Sequence, residues 1–172
     1  MNLEMPDYIG FVFAPSKRQI SFETALNLKG LLKPQIKSVG VFVNADVAEI
    51  QRAFDRGIID MAQLHGAETS EYISRLKMPV IKAVNVGDKT PENADYLLFD
   101  NGAGGTGEAF DWALLPKTTK QFFLAGGLRP DNVAQAIRVT RPFAVDVSSG
   151  VETEGVKDAV KIREFMRRAR EC

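Results

Sequence analysis

The chain reads FFLAGGL at residues 122–128 and FAVDVSSG at residues 143–150. Each run begins with apolar residues and stops abruptly at small residues that include glycine. An apolar pattern of helical period lies between the two runs, so the region is predicted to form strand, loop, helix, strand and loop. Glycine-tipped ends on neighbouring parallel strands expose backbone N–H groups on one side of a sheet, with a helix N-terminus behind them. Such a surface binds phosphate.

The same alternation of strand and helix extends upstream of these two runs. Strand-like runs occur at residues 7–13, 39–43, 61–64, 80–84 and 96–99. Helical stripes follow the first three runs, and their candidate N-caps are Ser21, then Asn44 or Asp46, then Thr69 or Ser70. Further along the chain, Pro130 is predicted to begin one helix, and apolar residues from Val156 to Ala169 mark the last one.

Strands that alternate with helices at short spacing predict a parallel α/β sheet with right-handed crossovers. In a TIM-type barrel, the loops after the last two strands frequently form a phosphate site. Seven strands are apparent, whereas the closed barrel has eight, and only six residues precede the first run. We therefore predict an α/β, TIM-type (β/α)8 barrel with seven of its eight strands, as a single domain over residues 1–172 that is N-terminally incomplete.

Composition restricts the class of partner. The 172 residues include 22 basic and 22 acidic side chains, without long runs of one sign. This balance argues against nucleic acid and membrane surfaces as partners. No apolar run approaches the roughly 20 residues of a membrane span, and the N-terminus lacks the features of a signal peptide. With one cysteine and no internal disulfide, the chain is expected to be cytoplasmic.

Active sites of parallel α/β barrels lie at the carboxyl ends of the strands, which makes Asp100 the leading candidate for chemistry. It follows three large apolar residues and precedes the glycine-rich segment 102–107. A carboxyl group partly shielded there could act as a general acid. Spacing alone leaves open that Asp100 is a polar turn residue. It equally leaves open solvated or structural roles for Arg18, His65 and Lys82, which also occur at or near strand ends.

The motifs taken together resemble phosphoribosylanthranilate isomerase, and the similarity runs in unbroken order from about residue 7 to the C-terminus. They include GFVF with SKR at residues 10–18, QLHG at 63–66, IKA at 81–83, LFD at 98–100, GGTG at 104–107, LAGGL at 124–128 and PFAVDVSSGVE at 142–152. The final two motifs are highly specific in combination.

That resemblance implies an Amadori rearrangement of N-(5'-phosphoribosyl)anthranilate in tryptophan biosynthesis, without metal or organic cofactor. The ligand is a phosphorylated sugar. Asp100 would be the general acid that opens the ribose ring. The other implied site residues are Arg18, His65, Gly104 and Gly105 for the substrate, with Arg18 holding the anthranilate carboxylate, and Gly126, Gly127, Ser148, Ser149 and Gly150 for the phosphate.

One part of the family pattern is missing. The family's general base is a cysteine in a Lys-Ile-Cys-Gly segment at the end of its first strand, and these 172 residues contain no such segment. Cys172 is predicted to be an exposed thiol without a role. Three explanations remain: a shortened isomerase, a homo-oligomer in which a second copy covers bare sheet edges, or a binding protein that keeps the phosphate site without the chemistry.

Overall fold

This computed structural model describes residues 1–85, 88, 90–100 and 112–172. Two compact units are present, one formed by Met1–Ala83 with Thr90–Tyr96 and the other by Val84–Lys89 with Leu97–Cys172. Seven parallel strands are distributed over these units. The predicted number of strands is therefore confirmed.

The first unit contains four parallel strands and three helices. The strands are β1 (Tyr8–Val12), β2 (Lys37–Phe42), β3 (Met61–Leu64) and β4 (Val80–Val84, whose last residue belongs to the second unit). They pair in the order β1, β2, β3, β4. The helices are α1 (Phe22–Gly30), α2 (Val47–Asp55) and α3 (Ser70–Ser74). Parallel pairing puts the carboxyl ends of all four strands at one edge.

Burial explains why these strands could be recognised from composition. All four residues of β3 are buried, as are Val80 and Ile81 in β4. Parallel strands covered on both faces form near-continuous apolar runs. Two predicted N-caps are also confirmed, because the Ser21 hydroxyl accepts from the Thr24 amide at 3.1 Å and the Thr69 hydroxyl accepts from the Tyr72 amide at 3.2 Å.

The helical period of the sequence places Ala25, Leu28, Leu31 and Leu32 on one apolar face of α1, and this prediction is only partly correct. Ala25 is fully buried, but Leu28 and Leu31 are 43% and 73% exposed. The helix ends at Gly30, so Leu31 lies beyond it and no longer follows the helical period.

The second unit contains β5 (Tyr96–Phe99, whose first residue belongs to the first unit), β6 (Phe122–Leu124) and β7 (Ala144–Val145), paired in parallel in that order. Its helices are α4 (Val133–Thr140) and α5 (Ala159–Arg170). An antiparallel hairpin of β8 (Glu152–Thr153) and β9 (Val156–Lys157) lies between β7 and α5. Leu97, Leu98, Leu124, Val133 and Ala136 are buried in this unit.

Two expectations for this region are corrected. Pro130 does not begin α4, because residues 129–132 form a turn in which the Asn132 amide donates to the Arg129 carbonyl at 3.2 Å, and the helix starts at Val133. Val156 does not belong to the last helix. It lies in β9 and is 70% exposed, since the Glu154-Gly155 turn folds this segment back as a hairpin.

Candidate active site

The glycine loop that follows β6 adopts a conformation that requires its glycines. Gly126 and Gly127 have φ values of 82° and 65°, a region that side chains with a Cβ rarely occupy. Asn132 holds the loop from the other end: its side-chain amide donates to the Gly127 carbonyl at 3.0 Å, and its side-chain oxygen accepts from the Arg129 amide at 2.8 Å. The loop is thereby connected to the N-terminus of α4.

The loop that follows β7 packs directly on the glycine loop. A Cβ atom on Gly150 would overlap the Leu128 carbonyl oxygen and come within 3.1 Å of Arg129 Cγ. Only glycine permits this approach. The structure therefore brings together the two segments that were predicted to bind phosphate, residues 126–127 and 148–150.

Lys157 supports the second of these loops, and sequence reasoning missed it. Its ammonium group donates to the Ser148 carbonyl at 2.7 Å and to the Ser148 hydroxyl at 3.3 Å, and it lies 2.9 Å from the Glu152 carboxylate. The β8–β9 hairpin places Lys157 there through a turn in which Glu154 and Gly155 both have positive φ, as in type I′ hairpins. The Glu-Gly dipeptide at residues 154–155 could have indicated this hairpin turn from the sequence.

Asp100 begins the loop after β5, at the same edge of the unit as the two loops. Phe99 is in register with Leu124, and Leu124 with Val145. The next residue on each strand is Asp100, Ala125 or Asp146, so these three begin adjacent loops. Asp100 is half-buried. The predicted substrate residues Gly104 and Gly105 lie outside the described residues.

The other two predicted substrate residues, Arg18 and His65, belong to the first unit. Arg18 lies in the exposed loop after β1, where its amide donates to the Ser16 hydroxyl at 3.1 Å. His65 directly follows β3, is exposed, and its amide donates to the Phe42 carbonyl at 2.8 Å. Both residues thus stand where strands of this unit end, as predicted.

Beneath His65 lies a buried ion-pair cluster, which we define as Asn44, Gly66, Glu68 and Lys82. The Lys82 ammonium and the Glu68 carboxylate are 3.1 Å apart, and their side chains are only 6% and 1% exposed. Lys82, for which the sequence left a buried and a solvated position open, is therefore buried. Glu68 was not recognised at all, although an acid three residues after a strand-terminal histidine with a lysine in the next strand could have indicated it.

The hydrogen bonds of this cluster join the ends of β2 and β3 to the middle of β4. Glu68 accepts from the Asn44 amide at 2.7 Å and from the Gly66 amide at 2.9 Å. Lys82 donates to the Gly66 carbonyl at 2.6 Å and to the Leu64 carbonyl at 3.3 Å. Asn44 accepts from the Ala67 amide at 2.8 Å. With these contacts, both charges are compensated away from water, as buried ions require.

The pKa of Glu68 reflects two opposing effects. Burial raises the pKa of this carboxyl group, but the hydrogen bonds from the backbone amides of Asn44 and Glu68 itself, together with the Lys82 ammonium, outweigh burial. The net pKa therefore lies below the ordinary value of 4.5. The ionised carboxylate is the favoured form in the folded protein.

A pH dependence of stability follows from this shift. Because the folded-state pKa of Glu68 is depressed, its contribution is fully present above the ordinary pKa and is lost as the pH falls through the folded-state pKa. We expect the urea midpoint to fall steadily below about pH 4.5. Glu68→Gln should flatten this acid limb, whereas Glu71→Gln, an exposed acid on α3, should leave it unchanged. An acid limb of equal slope in Glu68→Gln would contradict the assignment.

Comparison with known proteins identifies the family. A family model described as N-(5'-phosphoribosyl)anthranilate isomerase matches residues 2–168. A curated relative of that name from Endomicrobium trichonymphae is 48% identical over 97% of this chain and 89% of its own length. This chain belongs to that family.

Solved structures of phosphoribosylanthranilate isomerases agree with this family assignment. The enzyme from Thermus thermophilus superposes with a TM-score of 0.88 at 35% identity, over 98% of this chain and 90% of the other. An isomerase in complex with reduced 1-(o-carboxyphenylamino)-1-deoxyribulose 5-phosphate superposes with a TM-score of 0.82 at 36% identity, over 99% and 90%. The resemblance to an isomerase of tryptophan biosynthesis and the TIM-type α/β barrel class, with seven strands in this chain, are confirmed.

Relative to the family pattern, the cysteine of this chain occupies a different kind of position. Cys172 is exposed at the end of α5. Its thiol lies 3.2 Å from the Arg168 carbonyl and 3.7 Å from the Ala134 carbonyl, to which it can donate. It is thus a residue of the helical surface, exposed as predicted, and it does not follow a strand.

Within the described ranges, no three His, Cys, Asp or Glu side chains are grouped so that they could hold a metal ion. Among the helices in those ranges, none is long and apolar enough to cross a bilayer.

Proposed function

We propose that this chain binds N-(5'-phosphoribosyl)anthranilate and carries the site for its rearrangement to 1-(2-carboxyphenylamino)-1-deoxyribulose 5-phosphate. Family membership supports the substrate. The observation that carries the proposal is the contact of Gly150 with the Leu128 carbonyl, because it joins the two glycine-tipped loops into one surface. That surface lies at the strand edge where Asp100 also occurs.

The two loops are proposed to hold the phosphate. Gly126, Gly127, Ser148, Ser149 and Gly150 are proposed to offer backbone N–H groups, and the two serines add hydroxyls. The N-terminus of α4 follows the glycine loop and favours negative charge. The Lys157 side chain is 43% exposed and its ammonium group contacts Ser148. Lys157 therefore places a positive charge beside the loop that is proposed to bind the phosphate.

Asp100 is proposed to be the general acid. It would protonate the ribose ring oxygen, so that the bond from this oxygen to the anomeric carbon breaks and a Schiff base forms. Removal of the proton on the neighbouring carbon then gives an enol that rearranges to the ketone. Arg18, His65, Gly104 and Gly105 are proposed to contact the substrate, with the Arg18 guanidinium pairing with the anthranilate carboxylate.

The second proton transfer is where this chain is proposed to be impaired. A positioned general base contributes about 10²–10⁴-fold to such a step. The only cysteine among these 172 residues is Cys172, and its thiol lies on the surface of α5. The same observation favours a second candidate function, a non-catalytic binder of phosphorylated sugars that works alone or with another chain.

The test measures binding and turnover separately. We expect the 172-residue chain to bind the reduced product analogue in calorimetry, and to turn over the fluorescent substrate at least about 10²-fold more slowly than a relative. Addition of a Lys-Ile-Cys-Gly strand with its helix should restore the rate. In that extended protein, Asp100→Asn should lower the turnover rate about 10²–10⁴-fold. Asp55→Asn, on the exposed surface of α2, should leave the turnover rate unchanged.

Each outcome decides between the candidates. A normal rate from the unextended chain would contradict the proposed impairment. Analogue binding without any gain in rate from the added strand would favour the non-catalytic binder. Failure to bind the analogue would remove the proposed function altogether. Light scattering in the same samples tests whether two copies associate.

A further inference from the structure

The buried ion-pair cluster acts on one short segment of the backbone. Lys82 donates to the carbonyls of Leu64 and Gly66, the residues on either side of His65. Glu68 accepts from the Gly66 amide, and Asn44 accepts from the Ala67 amide. The peptide groups that precede and follow His65 are therefore both held by buried side chains.

Close packing restricts the same segment. A Cβ atom on Gly66 would lie 2.7 Å from the side-chain carbon Cγ of Asn44 and 2.9 Å from its backbone nitrogen. Asn44 itself has a φ of 51°, a conformation that asparagine and glycine tolerate best. The turn at residues 65–67 thus fits against the end of β2 with little freedom to move.

The ring of His65 is oriented as well as its backbone. The Gln63 side-chain nitrogen lies 3.2 Å from His65 Nδ1, and Gln63 is buried. A hydrogen bond between these two atoms fixes the orientation of the imidazole ring.

From these contacts we infer that Glu68 and Lys82 are positioning residues, whose buried pair holds the 65–67 turn so that His65 is presented to the substrate in one orientation. A buried pair is a poor source of stability compared with apolar packing, whereas its directional bonds suit the placement of a turn. The inference rests on the proposed function, in which His65 contacts substrate.

The single histidine of the chain makes a direct measurement possible. Nitrogen-15 NMR of the imidazole reports the protonation of each ring nitrogen without any ligand. We expect the nitrogen shifts of the unmodified chain to differ from those of a free histidine, because the ring is held in one orientation. In Glu68→Gln the two nitrogen shifts should move toward the averaged values of a free histidine. Glu71→Gln, which removes an exposed charge from α3, should leave them unchanged.

Binding of the reduced product analogue provides the functional part of the test. Glu68→Gln should raise the dissociation constant about tenfold, because the turn that carries His65 is displaced. Glu71→Gln should change the dissociation constant by less than about twofold. In a His65→Ala background, Glu68→Gln should add less than about twofold, because its effect passes through His65. A full tenfold effect in that background would overturn the inference.

If Glu68→Gln does not fold, a milder variant still tests the inference. Asn44→Gly keeps the positive φ but removes the acceptor for the Ala67 amide and the side chain that packs against Gly66, so it should shift the same His65 signals in the same direction. Unchanged histidine signals in both variants would overturn the inference. If the unmodified chain binds no analogue, the proposed function fails, while the NMR comparison still decides whether the cluster positions His65.

Discussion

Replacement of Lys82 by Met is expected to lower the free energy of unfolding by about 3–5 kcal/mol. The Glu68 side chain is 1% exposed, and the substitution removes the ammonium group that pairs with its carboxylate while leaving the carboxylate away from water. Loss of one member of a buried pair costs more than the pair contributes, because the remaining charge is uncompensated. The Leu64 and Gly66 carbonyls would lose their donor at the same time.

Urea denaturation at neutral pH measures this change. The matched control is Lys77→Met, because Lys77 is exposed and a surface substitution should change stability by about 0.5 kcal/mol or less. The double variant Lys82→Met with Glu68→Leu should recover most of the loss, since apolar residues of similar volume often replace a buried pair without cost. A loss below about 1 kcal/mol in Lys82→Met would contradict the burial of the pair.

Replacement of Gly150 by Ala is expected to weaken binding of the reduced product analogue by about 10²-fold. The added methyl group would overlap the Leu128 carbonyl oxygen. A backbone atom cannot relieve this overlap by a change of rotamer, as a side chain could. The loops would have to separate, which displaces the N–H groups proposed to hold the phosphate. The overpacking should also cost about 1–3 kcal/mol of stability.

Gly30→Ala is the matched control for this variant. No atom lies within 4 Å of a Cβ placed on Gly30, and its φ is outside the left-handed region. Calorimetry should give an unchanged dissociation constant for Gly30→Ala. Wild-type affinity in a folded Gly150→Ala protein would show that the contact of the two loops does not contribute to the phosphate site.

Much of the strand pattern was predictable because the strands are buried on both faces. The runs at residues 61–64, 80–84 and 96–99 coincide with β3, β4 and β5. A buried parallel strand is a continuous apolar segment, which composition reveals directly. Ser21 and Thr69 were predictable for a local reason, since an N-cap bonds within its own first turn.

Helix boundaries and faces were less predictable. Pro130 is compatible with a first helical position, but the Asn132 side chain bonds to Gly127 and Arg129 and holds the preceding residues in a turn. Val156 continues the apolar period of α5, but the Glu154-Gly155 turn places it in a hairpin. In both cases a hydrogen bond or turn outside the periodic segment overrides the local pattern.

The sequence by itself determined the order of the parallel strands, the family, and the strand ends at which Asp100, His65 and the glycine loops occur. Only the tertiary structure decided that Gly150 packs on the Leu128 carbonyl and that Lys82 is buried against Glu68 beneath His65. The physical reason is that pattern and composition record interactions along one segment. These contacts join groups on different segments, and their strength depends on burial and distance that exist only after the chain has folded.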